Sequence, residues 1–410
     1  MKPQERLALD GGPRIRTRPF PQRLQFDEEA RAVVNRVFDH YIAEGRDFGA
    51  QGRFEEQYCR QFVKYQNKGA ETDPRGYCDA VSSGTAALHV ALAALELPRG
   101  STILLTPIAD PGCVAAAAGL GHRIRLLDCA PGSLNTSLKQ VTEAASTSGA
   151  AALLLIHAGG KAAPDVGSIA EFCAEKSIRL IEDCSQAHGA EVAGRKVGNF
   201  GDFGVFSTMH TKTHSSGSNG GLIYTRSAPL HHRARMHADR GKRFHEPGFN
   251  PRDPGSFAFP ALNLPQDELS CAIGSVTLAR LDQVRARRIA LLRRLQAGLE
   301  RSKAFRLESF CDDDSPFFWP IHLRPDALSC EKSELGRALL AEGLPVNPDY
   351  RYLVHHWDWA RELILPGPVP ENAGQILARS VNLLFHEQFS ESDMDDIASG
   401  FLKVERHYLK

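Results

Sequence analysis

The sequence lacks a net charge, a long apolar run and paired cysteines, and each absence narrows the class of protein. Its 49 Lys and Arg residues balance 49 Asp and Glu residues, so no overall field favours nucleic acid or an anionic membrane. No apolar run reaches the length of a membrane span, and the first residues have no apolar core like that of a signal peptide. Nine cysteines occur singly, without a CxxC pair, which argues against a disulfide framework or a zinc ribbon. These absences predict a cytoplasmic protein whose partner is a small molecule or a second copy of the chain.

What the sequence does contain is a regular alternation of short apolar runs with helix-length segments. Apolar runs occur at 102–107, 123–129, 151–160 and 178–184. This alternation predicts βαβ units and a mostly parallel sheet. Ligands of such sheets bind beyond the carboxyl ends of the strands. Polar residues that directly follow an apolar run are therefore the first candidate site residues.

The rest of the chain divides into three predicted parts. Residues 1–25 are expected to form an N-terminal arm, residues 26–285 a large domain, and residues 286–410 a smaller α/β domain. Within the large domain, residues 226–260 are basic and rich in His, Gly and Pro, which predicts a long surface excursion. Apolar spacing over 266–302 predicts one long helix across the domain boundary.

Three candidate binding groups lie at predicted strand ends or turns. Gly84 and Thr85 begin a predicted helix, where backbone N–H groups suit a phosphate, although a plain helix cap explains the same residues. Asp183 ends the run "IRLIED", where it could face a ligand, cap a helix or take part in a structural ion pair. Ser207 ends "GVFS", as a phosphate donor or as a solvated strand end. Each signal is weak alone.

The fourth candidate is Lys212, in "HTKTH". A lysine amine can form a Schiff base with an aldehyde once its surroundings deprotonate it, whereas most lysines are solvated surface residues. A phosphate cradle, a carboxylate and such a lysine are together what pyridoxal phosphate requires. The carboxylate of Asp183 would keep the pyridine nitrogen protonated, and the lysine would hold the aldehyde.

A competing interpretation gives this stretch a zinc ion bound by His210 and His214. Their spacing of four suits a zinc helix, but that motif needs a helix and an intervening Glu. Here Thr, Lys and Thr intervene, and β-branched residues disfavour a helix. We therefore expect no metal, and expect the histidines to line a polar cleft or to pack at a subunit boundary.

Several stretches in fixed order resemble the DegT/DnrJ/EryC1/StrS family of sugar aminotransferases. They are "AVSSGTAALHVAL" (80–92), "LIEDCSQAHGAEVAGRKVGNFGDFGVFS" (180–207), the lysine five residues later, and "LNLPQDELSCAIGSVTLARLD" (262–282). The resemblance covers nearly the whole chain. It implies a fold type I pyridoxal phosphate enzyme: a large domain with a mostly parallel, seven-stranded type of sheet flanked by helices, and a smaller C-terminal α/β domain.

The resemblance also implies roles for single residues. Lys212 would bind the cofactor aldehyde and Asp183 would pair with the pyridine nitrogen. Gly84, Thr85 and Ser207 would hold the phosphate, and Gln186 would lie beside the ring. Asn263 would reach the cofactor phosphate of a neighbouring subunit, which implies a homodimer with shared active sites.

The activity implied is transfer of an amino group from glutamate or glutamine to a keto-sugar or keto-cyclitol, for an amino sugar, an aminocyclitol or a surface glycan. A pyridoxal phosphate-dependent sugar dehydratase and a non-catalytic regulatory relative remain alternatives. In the dehydratases a histidine replaces the lysine. Three departures from the family pattern concern the substrate: Ile108–Pro111 lacks the ring-stacking aromatic, 217–221 lacks the acidic turn, and Leu264-Pro265 replaces Tyr-Arg.

Overall fold

The computed structural model describes residues 6–68, 75–250 and 252–410. Its strands, in chain order, are β1 Tyr77–Val81, β2 Thr102–Leu105, β3 Arg123–Leu126, β4 Ala152–Ile156, β5 Arg179–Asp183, β6 Glu191–Val192, β7 Arg195–Lys196, β8 Phe203–Ser207, β9 Gly221–Thr225, β10 Phe305–Leu307, β11 Trp319–Leu323, β12 Val346–Asn347 and β13 Ser380–Leu383. Its α-helices are α1 Glu28–Ala43, α2 Arg53–Gln66, α3 Gly84–Ala94, α4 Pro111–Gly119, α5 Leu138–Ser148, α6 Val166–Glu175, α7 Ala228–Ala238, α8 Glu268–Ala279, α9 Leu281–Gly298, α10 Lys332–Ala341, α11 Glu371–Ala378 and α12 Glu391–Tyr408.

Seven strands form one large sheet in the order β1-β9-β8-β5-β4-β2-β3. Only β9 runs against its neighbours, pairing antiparallel with β1 and β8, and the other adjacent pairs are parallel. The predicted α/β fold with a mostly parallel seven-stranded sheet is confirmed. Because β5 and β8 are parallel neighbours, Asp183 and Ser207 reach the same edge of the sheet.

The apolar runs become central strands because helices cover both faces of the sheet. All five residues of β4 are buried, and α3 buries seven of its eleven residues. Helices α3 and α4 pack on one face, and α5 and α6 cover the other. The large core therefore holds the start of α3 firmly against the site edge of the sheet.

The C-terminal part contains a separate four-stranded sheet, in the order β10-β11-β13-β12 and antiparallel throughout. Its core includes Trp319 and Ile321 from β11, together with apolar residues of α9 and α12. This agrees with the smaller α/β domain of the predicted fold. The division of the chain after residues 25 and 285 stays a prediction.

Two element predictions are wrong. The expected single helix over 266–302 is two helices, α8 and α9, separated at Arg280, whose guanidinium pairs with Asp27 and Glu29. The expected surface excursion at 226–260 contains α7, which begins at a Ser227 cap. That helix buries only a narrow line of small apolar residues at every fourth position, Leu230, Ala234 and Ala238, so its period is hard to see among histidines and arginines. No helix of the described residues is both long and apolar enough to cross a membrane.

Candidate active site

A cavity of about 190 Å³ lies at the carboxyl edge of the large sheet. The structure brings six of the seven predicted site residues to its wall: Gly84, Thr85, Asp183, Gln186, Ser207 and Lys212. They come from one helix start, two strand ends and two loops, as expected for a ligand crevice in such a sheet.

The start of α3 forms one wall of the cavity. Ser83 caps this helix, because its Oγ accepts the N–H of Ala86 at 3.0 Å. The first N–H groups of a helix have no partner inside the helix and carry positive partial charge. A Cβ atom added at Gly84 would stand 2.6 Å from the Cβ of Ser207. Glycine is therefore required for the helix start to approach the end of β8.

Asp183 ends β5 and is 5% exposed. Its Oδ1 accepts the N–H of Ser185 at 2.9 Å, and its Oδ2 lies 3.5 Å from the thiol of Cys113, which donates to it. The alternative of a structural ion pair for Asp183 finds no support, because these two neighbours are uncharged donors. Its carboxylate is oriented by one backbone hydrogen bond and one weaker thiol contact, and it lines the cavity.

Lys212 lies in the loop after β8, and its N–H donates to the carbonyl of Met209 at 2.9 Å. Burial lowers the pKa of its amine, and the negative charges of Asp183 and Asp110 oppose that shift. Its Nζ lies 4.7 Å from the centre of the Phe317 ring. The side chain is half-buried, and its amine is a partly desolvated base that feels the charge of Asp183, unlike an ordinary surface lysine.

Two aromatic residues near the site escaped prediction from the sequence, Phe317 and Tyr350. Phe317 lies two residues after Ser315, and the backbone N–H of Ser315 donates to the carbonyl of Gly160 at 2.8 Å. Tyr350 lines the cavity and hydrogen-bonds to Gln186, and burial raises the pKa of its phenol. Both lie in the C-terminal part of the chain. For Phe317 the only signal was the stretch "PFFWP", which indicates a strand but no ligand contact, and Tyr350 lies outside that stretch.

Gln186 is held in place beside the cavity. Its Oε1 accepts the N–H of Gly159 at 2.7 Å, and Gly159 has a φ of +71°, which favours glycine. Ile108, in the segment Ile108–Pro111 where the family pattern has an aromatic, also lines the cavity. Tyr350 is the aromatic side chain that the structure puts on that wall.

The loop after the lysine is held by serine and threonine hydroxyls. Thr208 Oγ1 and Ser216 Oγ share a hydrogen bond of 2.6 Å, and Ser216 N–H donates to the carbonyl of Thr208 at 2.9 Å. A Cβ at Gly220 would lie 2.1 Å from Ser216 Oγ. These contacts occupy the place of the acidic turn that the family pattern has there.

The two histidines beside the lysine, His210 and His214, lie in different environments. His214 is fully buried, with its Nε2 at 2.9 Å from the Tyr58 hydroxyl and 3.3 Å from the carbonyl of Gly274, and burial lowers its pKa to about 4. His210 is exposed. The prediction that His214 lines a cleft or a subunit boundary is wrong, because it packs among core aromatics. The pair is not arranged to bind one metal ion.

A different group of potential metal ligands occurs in the described residues, formed by His157, Glu182 and Cys184. The Nδ1 of His157 accepts the N–H of Ala163 at 3.0 Å, so the proton is on Nε2, which donates to Glu182 at 3.2 Å. Glu182 also accepts three backbone N–H groups from 198–201. With its oxygens occupied in this way, Glu182 organises a loop.

Asn263, the seventh predicted residue, does not line the cavity of its own chain. It is exposed and forms an isolated bridge with Asp239. The next residue, Leu264, accepts the N–H of Ser82 at 2.8 Å. Asn263 therefore lies close in the fold to the start of α3 but does not line the cavity that α3 helps to build.

The cavity fits pyridoxal phosphate by the chemistry of its groups. The start of α3 offers N–H groups and the Thr85 hydroxyl to a phosphate, and its approach to Ser207 is a cradle that a Cβ at Gly84 would fill. Asp183 offers a carboxylate to a protonated ring nitrogen, and Lys212 offers an amine to an aldehyde. No group in this set conflicts with that cofactor.

Comparison with known proteins gives one family. The DegT/DnrJ/EryC1/StrS aminotransferase family matches residues 40–402. The chain is 29% identical to an L-glutamine:2-deoxy-scyllo-inosose aminotransferase of Micromonospora echinospora, over 97% of each chain. It is 28% identical to a dTDP-4-dehydro-2,3,6-trideoxy-D-glucose 4-aminotransferase of Saccharopolyspora spinosa, over 80% of this chain and 84% of the relative.

A solved structure agrees with these sequence matches. The aminotransferase TlmJ from Streptoalloteichus hindustanus superposes with a TM-score of 0.78 at 25% identity. The superposition covers 94% of this chain and 97% of that one. The similarity thus extends over both sheets.

Proposed function

Because the chain belongs to the DegT/DnrJ/EryC1/StrS aminotransferase family, we propose that it transfers an amino group from glutamine or glutamate to the ketone of a sugar or cyclitol. Membership confirms the predicted aminotransferase activity and the predicted cofactor, pyridoxal phosphate. The substrate class is supported by the two relatives above, whose names contain a keto-cyclitol and a keto-sugar. The product would be an aminocyclitol or an amino sugar.

One observation carries the proposed site roles: Lys212 and Asp183 line the same cavity as the start of α3. The amine has a pKa below its ordinary value because its surroundings partly desolvate it, so a larger fraction of it is neutral at neutral pH. A general base works best when its pKa lies near the working pH.

Each side chain has a distinct task in the proposed reaction. When bound, pyridoxal phosphate supplies an electron sink for the negative charge that develops on the donor carbon. Gly84, Thr85 and Ser207 would bind its phosphate, and Asp183 would hold a proton on its ring nitrogen. With the cofactor bound, Nζ of Lys212 would take the proton from the donor carbon and deliver it to the carbon that carries the cofactor's aldehyde.

The alternative of a dehydratase predicts histidine where this chain has Lys212. An amine at that position can move the proton in both half-reactions, which supports transamination. We propose no role for His210 or His214 in the chemistry, because one is exposed and the other is committed to Tyr58 and Gly274.

The experiment is an incubation of the loaded enzyme with glutamine and a keto-cyclitol, followed by mass spectrometry of the products. Transfer of an amino group replaces the ketone oxygen by one hydrogen and one NH2 group, and a keto acid is formed from the donor in equal amount. Loss of water from the acceptor without nitrogen gain would identify a dehydratase. Binding of cofactor without turnover of any keto-sugar or keto-cyclitol would identify a non-catalytic relative.

We also propose a homodimer in which Asn263 serves the neighbouring subunit. Its exposure in one chain supports this role, and the adjacent Leu262 leaves 53% of its surface exposed. An exposed leucine beside an exposed amide is typical of a surface that a second copy covers. The isolated chain thus offers Asn263 to a partner rather than to its own cavity.

Mixing two inactive variants tests the shared site. With shared sites, each site takes Lys212 from one subunit and Asn263 from the other. A mixed dimer of a Lys212→Ala subunit and an Asn263→Ala subunit then has one site with both substitutions and one site with neither. We expect activity to appear on mixing and to approach about one quarter of the wild-type value at equal amounts and random exchange. If Asn263 acts within its own chain, every site keeps one defect and mixing restores nothing.

The cytoplasmic location remains part of this proposal. All nine cysteines are free thiols, which is typical of a reducing compartment. A small-molecule substrate, with no nucleic acid or membrane partner, is what we expect from the balanced charge.

A further inference from the structure

Residues 20–25 of the N-terminal arm, here called the strap, lie along residues 386–389, here called the latch. Each latch residue contacts a different strap residue. Phe389 stacks on Phe20 with 5.0 Å between the ring centres, and His386 Nε2 donates to the carbonyl of Pro21 at 3.0 Å. Glu387 pairs with Arg23 at 2.8 Å. Gln388 accepts the N–H of Leu24 at 3.0 Å and donates to the carbonyl of the same residue at 2.5 Å. The latch thus fixes both the path and the register of the strap.

The other side of the strap binds the backbone around the site lysine. Arg23 donates to the carbonyl of Lys212 at 2.7 Å and to the carbonyls of its two neighbours, Thr211 at 3.3 Å and Thr213 at 3.2 Å. Gln25 donates to the carbonyl of His210 at 2.5 Å. Four consecutive carbonyls of an irregular loop therefore take their hydrogen bonds from the strap. Such groups need partners wherever regular structure supplies none.

A second arginine joins the same carboxylate. Arg288, in α9 and 1% exposed, donates to Glu387 through two nitrogens at 3.0 and 2.8 Å. It also donates to the carbonyl of Pro316 at 2.7 Å, next to the phenylalanine whose ring faces the lysine amine. Burial works to raise the pKa of Glu387, but the charges of Arg288 and Arg23 lower it to about 2.

We propose that the strap is a positioning device for Lys212, in which Arg23, held by Glu387 of the latch, fixes the loop from which the amine reaches the cavity. This inference rests on the proposed catalytic role of Lys212. Arg23 does not line the cavity, so it acts through the lysine as a positioning residue. The strap also ties that loop to the C-terminal part of the chain.

The geometry depends on the guanidinium fork. Arginine donates through a planar set of N–H groups, whereas lysine is a compact point charge. In Arg23→Lys one nitrogen cannot serve Glu387 and three carbonyls together. Arg23→Gln removes the charge as well. Arg14→Gln is the matched control, because Arg14 lies in the same arm and donates to the carbonyl of Ala341, away from the lysine loop.

The test combines two readouts on the full-length protein without added cofactor, and one on the loaded enzyme. Hydrogen exchange is measured on peptides that cover 208–216. Reductive methylation of Lys212 is measured by mass spectrometry, relative to Lys139, whose side chain is 75% exposed. On the loaded enzyme we measure kcat and KM for the amino donor.

For Arg23→Gln we expect faster exchange in 208–216, a changed ratio of Lys212 to Lys139 methylation, and a kcat reduced about 10- to 100-fold, as for a catalytic group displaced by about 1 Å. KM should change less than kcat. Arg23→Lys should show the same pattern to a smaller degree, and Arg14→Gln should match the wild type. If Arg23→Gln does not fold by circular dichroism, Arg23→Lys decides the question.

Wild-type exchange and methylation in both Arg23 variants would overturn the strap proposal. That failure is distinguishable from a failure of the proposed function, in which Lys212→Ala itself would retain turnover. If Lys212→Ala is inactive and the Arg23 variants behave as wild type, only the strap proposal is lost.

Discussion

The two halves of the candidate site are built in different ways. The start of α3 and the ends of β5 and β8 come from regular elements packed in the large core. The lysine loop at 208–220 contains no helix or strand. Its carbonyls at 210–213 accept hydrogen bonds from Arg23 and Gln25 of the N-terminal arm, and Glu387 of the C-terminal part holds Arg23. The binding half is therefore rigid through its own packing, whereas the reacting half depends on remote contacts.

The largest effect expected is in the reacting half. Lys212→Ala removes the amine that moves the proton, so we expect turnover to fall by up to about 10⁴-fold. Lys176→Ala is the control, because that side chain lies on the surface with Glu175 as its ion-pair partner. Assays of amino transfer from glutamine check this prediction, and appreciable turnover by the alanine variant would contradict it.

In the half of the site built from regular elements, removal of the Asp183 charge should reduce activity without unfolding the protein. Asp183→Asn keeps the size and the contact with Ser185 but removes the negative charge at the ring nitrogen, so we expect kcat to fall by about 10²- to 10³-fold. Cofactor binding, measured by fluorescence quenching, should weaken much less. An unchanged kcat would show that Asp183 is structural.

A methyl group tests the cradle directly. In Gly84→Ala the new Cβ would lie 2.6 Å from the Cβ of Ser207, and such overpacking costs about 1–3 kcal/mol. We expect weaker cofactor binding in a titration. Gly374→Ala in α11 is the control, because nothing lies within 4 Å of its added Cβ. It should bind cofactor as the wild type does.

The site residues on regular elements could be predicted from the sequence, whereas those brought in by remote packing could not. Asp183 and Ser207 each end an apolar run, in a chain where apolar runs alternate with helix-length segments. Their place at predicted strand ends therefore made them candidate site residues. Tyr350 and Phe317 carry no such signal, because their place at the site depends on how the C-terminal part packs. The bond from Arg23 to the carbonyl of Lys212 spans 189 residues, which no period or spacing reveals.

A smaller effect concerns acid stability of the latch. Because the folded pKa of Glu387 is about 2, below its ordinary value of 4.5, its carboxylate stabilises the fold above pH 4.5. That stabilisation is lost as the pH falls from 4.5 towards 2. We expect Glu387→Gln to lower the free energy of unfolding at pH 7 and to flatten its pH dependence in that window. Urea unfolding at several pH values measures both, and parallel curves for the two proteins would contradict the prediction.

The smallest effect should come from the exposed histidine beside the lysine. His210→Ala removes a side chain that faces solvent, while its backbone carbonyl keeps the bond to Gln25. We expect kcat to stay within about twofold of wild type, as for surface substitutions away from special features. A large loss that added zinc modifies would revive the metal interpretation.

The most direct measurement of the central claim is the visible spectrum of the protein loaded with pyridoxal phosphate, recorded before and after glutamine or glutamate is added. If Lys212 transfers the proton from donor to cofactor, the absorbance band of the bound cofactor is bleached with one equivalent of keto acid formed per site, and a keto-cyclitol or keto-sugar restores it. Lys212→Ala should show no bleaching. A wild-type band that no amino donor changes, or bleaching that is equally fast in Lys212→Ala, would contradict the account.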